Sequence, residues 1–462
     1  LSRRDGPRPN PRGRQSDLGP AKPFARGTEV EFTVESIAAG GDAFAKVDGL
    51  AVFADRGLPG DTIRAVVEKR KKSFAKARTT GWSSKGAGTI DAACPVASEC
   101  GGCRFQSASY SDELRWKVEA TYSAITRIAR DLPWPEYDVI ESVTPDSYRH
   151  RARLRMDADG QLGFFRGGSN EVVPTENCMV LHPALNDARP ISRALFGGLE
   201  GLESIFLEWD NVRDGVAITG EFAERDLPHV LRTVRSRIEP MKPLLDVTTI
   251  VVRAKWRPTT IVGDGCVWRD HRCGNQTIIV KEPAAGFSQA NAETNSRIVD
   301  LVQQHIGRVD GRQALELFGG AGNLTFPILG AGYNVDTLDV GEQAVHAAAA
   351  AWKVWDKRPP RRARFHASDL EAGLPGDLIP LTKESVTIVA DPPRGGMSEA
   401  LVSDLEYARK GKTFVYVSCD PASMARDVAR LAEHGWMPKE LSFIDMFPRT
   451  PHVEAVVCLR RG

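Results

Sequence analysis

The chain has 462 residues, 42% hydrophobic and 26% charged, with 61 Lys and Arg against 60 Asp and Glu for a formal net charge of +1. That length exceeds a typical single domain and suggests two or three, with enough apolar residues for real cores. No uninterrupted apolar stretch reaches membrane-spanning length, which excludes a spanning helix and leaves a multidomain soluble enzyme as the expected class.

In chain order, residues 1–26 carry Arg3, Arg4, Arg8, Arg12, Arg14, Lys22 and Arg26 among prolines and glycines, against Asp5 and Asp17. This is the pattern of a disordered basic arm. Residues 27–80 read as a small all-β unit: 29–35 alternates cleanly, Gly40-Gly41-Asp42 makes a turn, and short strands follow at 43–47, 51–54 and 61–68. Strands at this spacing suggest a five-stranded barrel of the oligonucleotide-binding type, and the unit resembles a TRAM domain, an RNA-binding module. Lys69, Arg70, Lys71 and Lys72, continuing to Lys76 and Arg78 with Phe74 interleaved, fit a phosphate-tracking edge with a stacking ring.

A central mixed α/β domain is expected over 88–280. Cys94, Cys100 and Cys103 form C-x5-C-x2-C, and Cys178 lies well downstream. Four such thiolates suit zinc or an iron-sulfur cluster, and spacing alone leaves the metal open. With no apolar signal segment the chain reads as cytoplasmic, where thiols stay reduced and disulfides are disfavoured. Cys266, Cys273 and Cys458 lack such spacing and read as structural. Residues 112–129 have helical periodicity, with Leu114, Val118, Tyr122, Ile125 and Ile128 roughly on one face. Arg149, Arg151, Arg153 and Arg155 recur with period two, so a strand places them on one face, where four like charges require an anion. RNA phosphate is the economical partner, with cross-strand carboxylates the alternative.

Residues 281–462 carry the densest pattern, that of an open α/β sheet, in which ligands bind beyond the carboxyl ends of the strands. The run 314–318 leads into Gly319-Gly320-Ala321-Gly322-Asn323 and a helical stretch, and Asp339 closes the next strand about 20 residues on, the spacing at which an acid reaches ribose hydroxyls. The loop is neither G-x-x-x-x-G-K-[ST] nor G-x-G-x-x-G, and it fits a nicotinamide cofactor, an adenosine-containing methyl donor or a plain tight turn. Ser368-Asp369 follows the third candidate strand. Asp391-Pro392-Pro393-Arg394 ends the apolar run 386–390, and Ser418-Cys419-Asp420-Pro421 ends 413–417. The helix start at Asp420-Pro421 turns its positive end toward the sulfur, an arrangement that lowers a thiol pKa. Glu454 opens the last run, 455–459; if that strand is antiparallel, Glu454, Cys419 and Asp391 converge.

Phe287-Ser288-Gln289-Ala290-Asn291, Leu317 to Asn323, Asp391-Pro392-Pro393-Arg394, Ser418-Cys419-Asp420-Pro421 and His452-Val453-Glu454 together resemble the RNA uracil-5-methyltransferase family, in family order. The resemblance implies a class I, Rossmann-like methyltransferase domain over 281–462 using S-adenosyl-L-methionine, with Cys419 as nucleophile and Glu454 as base. It places Gln289, Phe318, Asn323, Asp339, Asp369 and Asp391 around the methyl donor; Asp339 departs from the glutamate usual there. It favours a 4Fe-4S cluster over zinc on Cys94, Cys100, Cys103 and Cys178, and packs helix 112–129 on the catalytic domain. The implied partner is RNA, 23S ribosomal RNA before transfer RNA, acted on by a monomer with no membrane association. Cytosine-5 methylation and a non-catalytic iron-sulfur RNA-binding protein are the alternatives from other classes.

Overall fold

In the computed structural model the described residues are 24–223, 227–244, 246–255, 257–408 and 410–461, so nearly all of the basic arm expected over 1–26 lies outside them. They form two compact units, one of residues 24–36 and 42–87, the other of 37–41 and 88–461.

The first unit is built on β1 (Glu29–Thr33), β2 (Ser36–Ile37), β3 (Ala43–Val47), β4 (Leu50–Ala54), β5 (Thr62–Arg70) and β6 (Phe74–Ser84), in the sheet order β1-β5-β6-β4-β3-β2. Phe32, Ala43, Ala45, Val52, Ala54, Ile63, Ala65, Val67, Ala75 and Ala77 fill its core. The basic stretch expected as a phosphate-tracking edge forms a hairpin: β5 runs to Arg70, and Phe74, Lys76 and Arg78 belong to β6.

The second unit opens with α1 (Tyr110–Ile128), started by Ser109, whose side chain accepts the Asp112 N–H. Strand β7 (Tyr137–Ile140) follows, then β8 (Arg151–Met156), β9 (Leu162–Phe165), β10 (Val172–Pro174), α2 (Pro183–Phe196), β11 (Leu202–Asp210), β12 (Gly215–Phe222), α3 (Leu227–Ile238), β13 (Val247–Ala254) and β14 (Arg257–Val262). Strands β8 to β14 make a seven-stranded sheet, with α2 and α3 contributing Leu185, Phe196, Val230 and Val234 to its core. The hairpin β15 (Cys266–Cys273) and β16 (Gln276–Pro283) leads to α4 (Ala292–Ile306).

The remainder alternates strand and helix: β17 (Gln313–Leu317), α5 (Thr325–Gly330), β18 (Asn334–Asp339), α6 (Glu342–Val354), β19 (Ala363–Ala367), α7 (Ile379–Glu384), β20 (Thr387–Ala390), α8 (Glu399–Asp404), β21 (Thr413–Ser418) and α9 (Pro421–Glu433), then β22 (Trp436–Ile444) and β23 (Glu454–Arg461). The sheet order is β19-β18-β17-β20-β21-β23-β22-β7. Strands β19, β18, β17, β20 and β21 are parallel, and β23 runs antiparallel to β21. The inner parallel strands β17, β18, β20 and β21 are buried on both faces, whereas the edge strand β19 is only partly buried. Strand β7 joins the far edge beside β22, and α1 packs against α9 through Leu114, Val118 and Ile125, so an early segment completes the C-terminal sheet.

Candidate active site

The chain reversal at β23 brings the two most reactive side chains together. Ser418 pairs with Ala455 across β21 and β23, so Cys419, just past one strand, lies beside Glu454 at the start of the other. Helix α9 begins immediately after the thiol, with Asp420 accepting the Ser423 N–H at 2.9 Å. Its first turn also anchors the loop after β20: Ser423 donates to the Arg394 carbonyl at 2.8 Å, and Asp427 accepts the Met397 N–H at 2.7 Å and the Tyr416 hydroxyl at 2.6 Å. Asp391, Arg394, Cys419 and Glu454 are thereby held at one edge of the sheet.

These groups border a cavity of about 1480 Å³ that also meets Gln289, Phe318, Asn323, Asp339 and Asp369. Every residue named from the sequence as catalytic or donor-binding therefore faces one space. The glycine turn forms part of its wall. Phe318 has φ 64, an uncommon value for a residue with a side chain. A Cβ on Gly319 would overlap the Thr337 hydroxyl and lie 2.9 Å from Glu316 Oε2, and Gly322 has φ +100. Asp339 fixes this turn: its two oxygens accept the Gly320 N–H at 3.0 Å and the Gly341 N–H at 2.6 Å. A carboxylate has lone pairs beyond these two, so ribose hydroxyls can still be accepted. Asn323 is tied to Asn295 of α4 by reciprocal amide bonds of 2.7 and 3.1 Å, and Asp369 is exposed, accepting the Glu371 N–H at 2.9 Å.

The pocket concentrates negative charge. Burial, then Asp339, pushes the Asp391 carboxyl up to about 7. Burial, then Asp391, pushes Glu454 up to about 8, with Arg394 opposing. Glu316, under the glycine turn, is raised to about 7, again mainly by burial. The thiol departs from expectation: instead of being lowered by the helix, Cys419 is raised to about 11, by burial first and then by Glu454 and Asp391, against Arg394 and its own backbone N–H. Two acidic neighbours and loss of water outweigh the end of one helix, whose influence is confined to its first turn.

The arginine strand also differs. Arg151, Arg153 and Arg155 do share a face of β8, with Ala152 and Leu154 buried on the other, while Arg149 stands before the strand. However, Arg153 lies 2.6 Å from Glu221, and Arg151 lies 4.0 Å from Glu208 while donating to the Ser288 carbonyl at 3.2 Å. Arg269 joins it, donating to Ser288 Oγ at 3.2 Å. Repulsion therefore gives no argument for RNA at Arg151 or Arg153: carboxylates face both, and Arg151 instead steadies the loop that carries Gln289. Arg149 donates to the Arg151 carbonyl at 3.2 Å and Arg155 lies 4.9 Å from the Phe165 ring. Phe287, on that same loop, is 82% exposed at the cavity rim; the motif around it marks the loop, and an apolar aromatic between Gly286 and Ser288 is the signal in the sequence for the ring itself. The tip Lys69, Arg70, Lys71 and Lys72 is exposed in the first unit.

The four cysteines gather: burial, then Cys178, Cys100 and Cys94 beyond a countering Gln106 bond, raise the Cys103 thiol to about 12. Gly102 N–H points to Cys100 Sγ at 3.4 Å and Gln106 Nε2 to Cys103 Sγ at 3.7 Å. The same loop holds the segment leading to Glu454, because the Arg104 and Phe105 N–H groups both donate to the Arg449 carbonyl, at 2.8 and 3.2 Å, five residues before Glu454.

Residues 235–462 match the family model described as tRNA (Uracil-5-)-methyltransferase. Through these residues the chain matches the RNA uracil-5-methyltransferase family. Among similar proteins, an uncharacterized RNA methyltransferase of Halalkalibacterium halodurans is 26% identical over 95% of this chain and 98% of its own. The 23S rRNA (uracil(1939)-C(5))-methyltransferase of Shewanella denitrificans is 28% identical over 90% of this chain and 92% of its own. The crystal structure of Pyrococcus abyssi tRNA (uracil-54, C5)-methyltransferase with S-adenosyl-L-homocysteine superposes with a TM-score of 0.68 at 22% identity, covering 93% of this chain and 100% of that one, a likeness of fold. The β21–β23 register sets a thiol, Cys419, and a carboxyl, Glu454, side by side on the wall of the cavity.

Proposed function

We propose that this chain methylates C5 of a uridine in ribosomal RNA with S-adenosyl-L-methionine as donor. The observation that carries the reading is the pairing of Cys419 with Glu454 at the mouth of an acidic cavity walled by the glycine turn. Asp339, Asp391 and Glu454 give that cavity the charge to receive a cationic sulfonium, and its raised carboxyls are what a cation would bring back to the charged form. The same cation, with Arg394, lowers the Cys419 thiol on binding. The thiolate then adds to uracil C6, and the electron pair released to C5 takes the methyl group as the sulfonium becomes a thioether. Glu454 accepts the C5 proton, and elimination returns Cys419 free. Gln289, Phe318, Asn323, Asp339, Asp369 and Asp391 are assigned to the donor, with Asp391 nearest the reacting groups. Phe287 is placed to stack on a uridine turned out of its loop.

The four cysteines are assigned to a 4Fe-4S cluster. The donor set fits: four thiols gathered by the 94–103 loop and residue 178, a set that zinc could also use. The group would tie the 94–103 loop to residue 178. In organisation we read a TRAM-type RNA-binding barrel over 27–80, a central cysteine-bearing domain over 88–280 and a class I methyltransferase domain over 281–462, acting as a cytoplasmic monomer. Ribosomal RNA is preferred because the Shewanella relative, similar over nearly its whole length, is named for that substrate; the family description keeps transfer RNA as the second reading. Incubating the protein with methyl-labelled donor and RNA lacking the modification, then separating the species, should label 23S RNA. Label confined to transfer RNA would transfer the assignment. Anaerobically purified protein should absorb near about 400 nm if the cluster is iron-sulfur.

A further inference from the structure

The first unit turns its sheet inside out in one respect. Ala43, Ala45, Val52, Ala54, Val67, Ala75 and Ala77 point inward, while the phenylalanines of β3, β4 and β6 point outward. Phe44, Phe53 and Phe74 are only partly buried, and touch one another: the Phe44 and Phe53 ring centres are 5.3 Å apart, and Phe53 meets Phe74 edge-on at 5.9 Å. Large aromatic side chains are the strongest contributors to a core, so placing three of them outside small ones needs a reason.

Strand register supplies the surroundings. Lys69 pairs with Lys76, Lys76 with Phe53 and Phe53 with Phe44, so one row across four strands reads Lys, Lys, Phe, Phe. The neighbouring row reads Phe74, Ala51, Lys46. Aromatic faces thus lie among ammonium groups at both ends. The acids nearby are Asp42, 3.5 Å from Lys76, Glu68, 3.2 Å from Arg78, and Glu35, which accepts the Lys46 backbone N–H at 3.2 Å; the two ion pairs are solvent-exposed enough to contribute little and to exchange for another anion.

We infer that Phe44, Phe53 and Phe74 form a base-stacking platform for single-stranded RNA, with Lys46, Lys69 and Lys76 holding the backbone alongside. This rests on RNA being the substrate and adds the mode by which the first unit grips it: π-faces that accept any base, and point charges that follow the phosphates. The platform is therefore sequence-tolerant, and selection of the uridine stays with the second unit.

The test uses the full chain and two fluorescently labelled decamers, one of adenosines and one an abasic ribose-phosphate chain, with binding measured over a range of salt and without methyl donor. Phe44→Leu, Phe53→Leu and Phe74→Leu keep apolar volume but lose the ring. Each should weaken adenosine-decamer binding about tenfold while leaving abasic binding and the salt slope unchanged. Lys76→Gln should weaken both decamers and flatten the salt dependence by about 0.7 in log–log slope. Leucine variants that bind the adenosine decamer like wild type, variants that lose both decamers equally, or a wild type that binds neither would overturn the platform. Methyl transfer, assayed separately on structured RNA, distinguishes the two readings: an active enzyme with ring-independent binding rejects the platform alone, and ring-dependent binding without transfer rejects the activity alone.

Discussion

Lys117 is a buried cation whose removal should be felt both in stability and at the active site. On α1, its side chain is 1% exposed, with Nζ 3.0 Å from Glu113 and 2.7 Å from Asp445, both fully buried, and within 3.5 Å of the Phe447 and Thr450 carbonyls. Glu113 also accepts the Arg449 N–H at 2.6 Å, so the ion cluster fixes the turn leading to Glu454. Lys117→Met keeps the side-chain length, leaves Asp445 without its ammonium partner and leaves Glu113 with only the Arg449 guanidinium, 3.6 Å away. Breaking a buried pair costs about 3–5 kcal/mol. Glu113 is already pushed up to about 7 by burial with the ammonium present, and without it takes up a proton at still higher pH. The cost should therefore be about 4 kcal/mol at pH 8 and about half that at pH 5.5, or about 5 °C in Tm at pH 8 for a unit of this size. Thermal unfolding at both pH values, with Glu113→Gln/Lys117→Met recovering part of the loss, measures it. A variant within about 1 kcal/mol of wild type at both pH values would refute this account of the cluster.

Donor binding should release protons between pH 7 and 8, because a cation favours the charged forms of Asp391 and Glu454, whose carboxyls are pushed up to about 7 and about 8 by burial. Calorimetry in buffers of different ionisation enthalpy reads the number released, which should fall in Asp391→Asn; buffer-independent heats would contradict it. Those raised values also mean that the folded protein binds more protons than the unfolded chain between about pH 4 and about pH 8, so Glu454 and Asp391 contribute stability at low pH that is lost as pH rises through 8. Glu454→Gln should accordingly raise Tm at pH 8 and do little at pH 5 while abolishing turnover. Gly319→Ala should drive a methyl into Thr337 and Glu316, lowering stability by about 1–3 kcal/mol and donor affinity together; equilibrium dialysis with labelled donor checks the second effect.

The motifs were legible because each is local: an apolar strand followed at once by Cys419, by Asp391 or by the glycine turn. Period two likewise placed Arg151, Arg153 and Arg155 on one face, and period 3.6 found α1. What fills the space opposite a strand is not local. Glu208 and Glu221 reach the arginines from β11 and β12, over 50 residues away in sequence, and no pattern in 149–155 announces them. Lys117 and Asp445 are 328 positions apart and look like ordinary surface charges until α1 is laid on the C-terminal sheet. The thiol's environment escaped for the same reason: the helix beside Cys419 is adjacent in sequence, whereas Glu454 and the burial that outweigh it come from the fold. Asp339 was legible as an acid at a strand end, but not as the clasp of the glycine turn.

The most direct test of the central claim is tritium release from unmodified ribosomal RNA carrying C5-tritiated uridine, with and without S-adenosyl-L-methionine, comparing wild type with Cys419→Ala. The account predicts donor-dependent release by wild type and none by the variant. Release that persists in folded Cys419→Ala would contradict attack through this thiol, and no release by folded wild type from any RNA fraction would contradict uridine C5 chemistry itself.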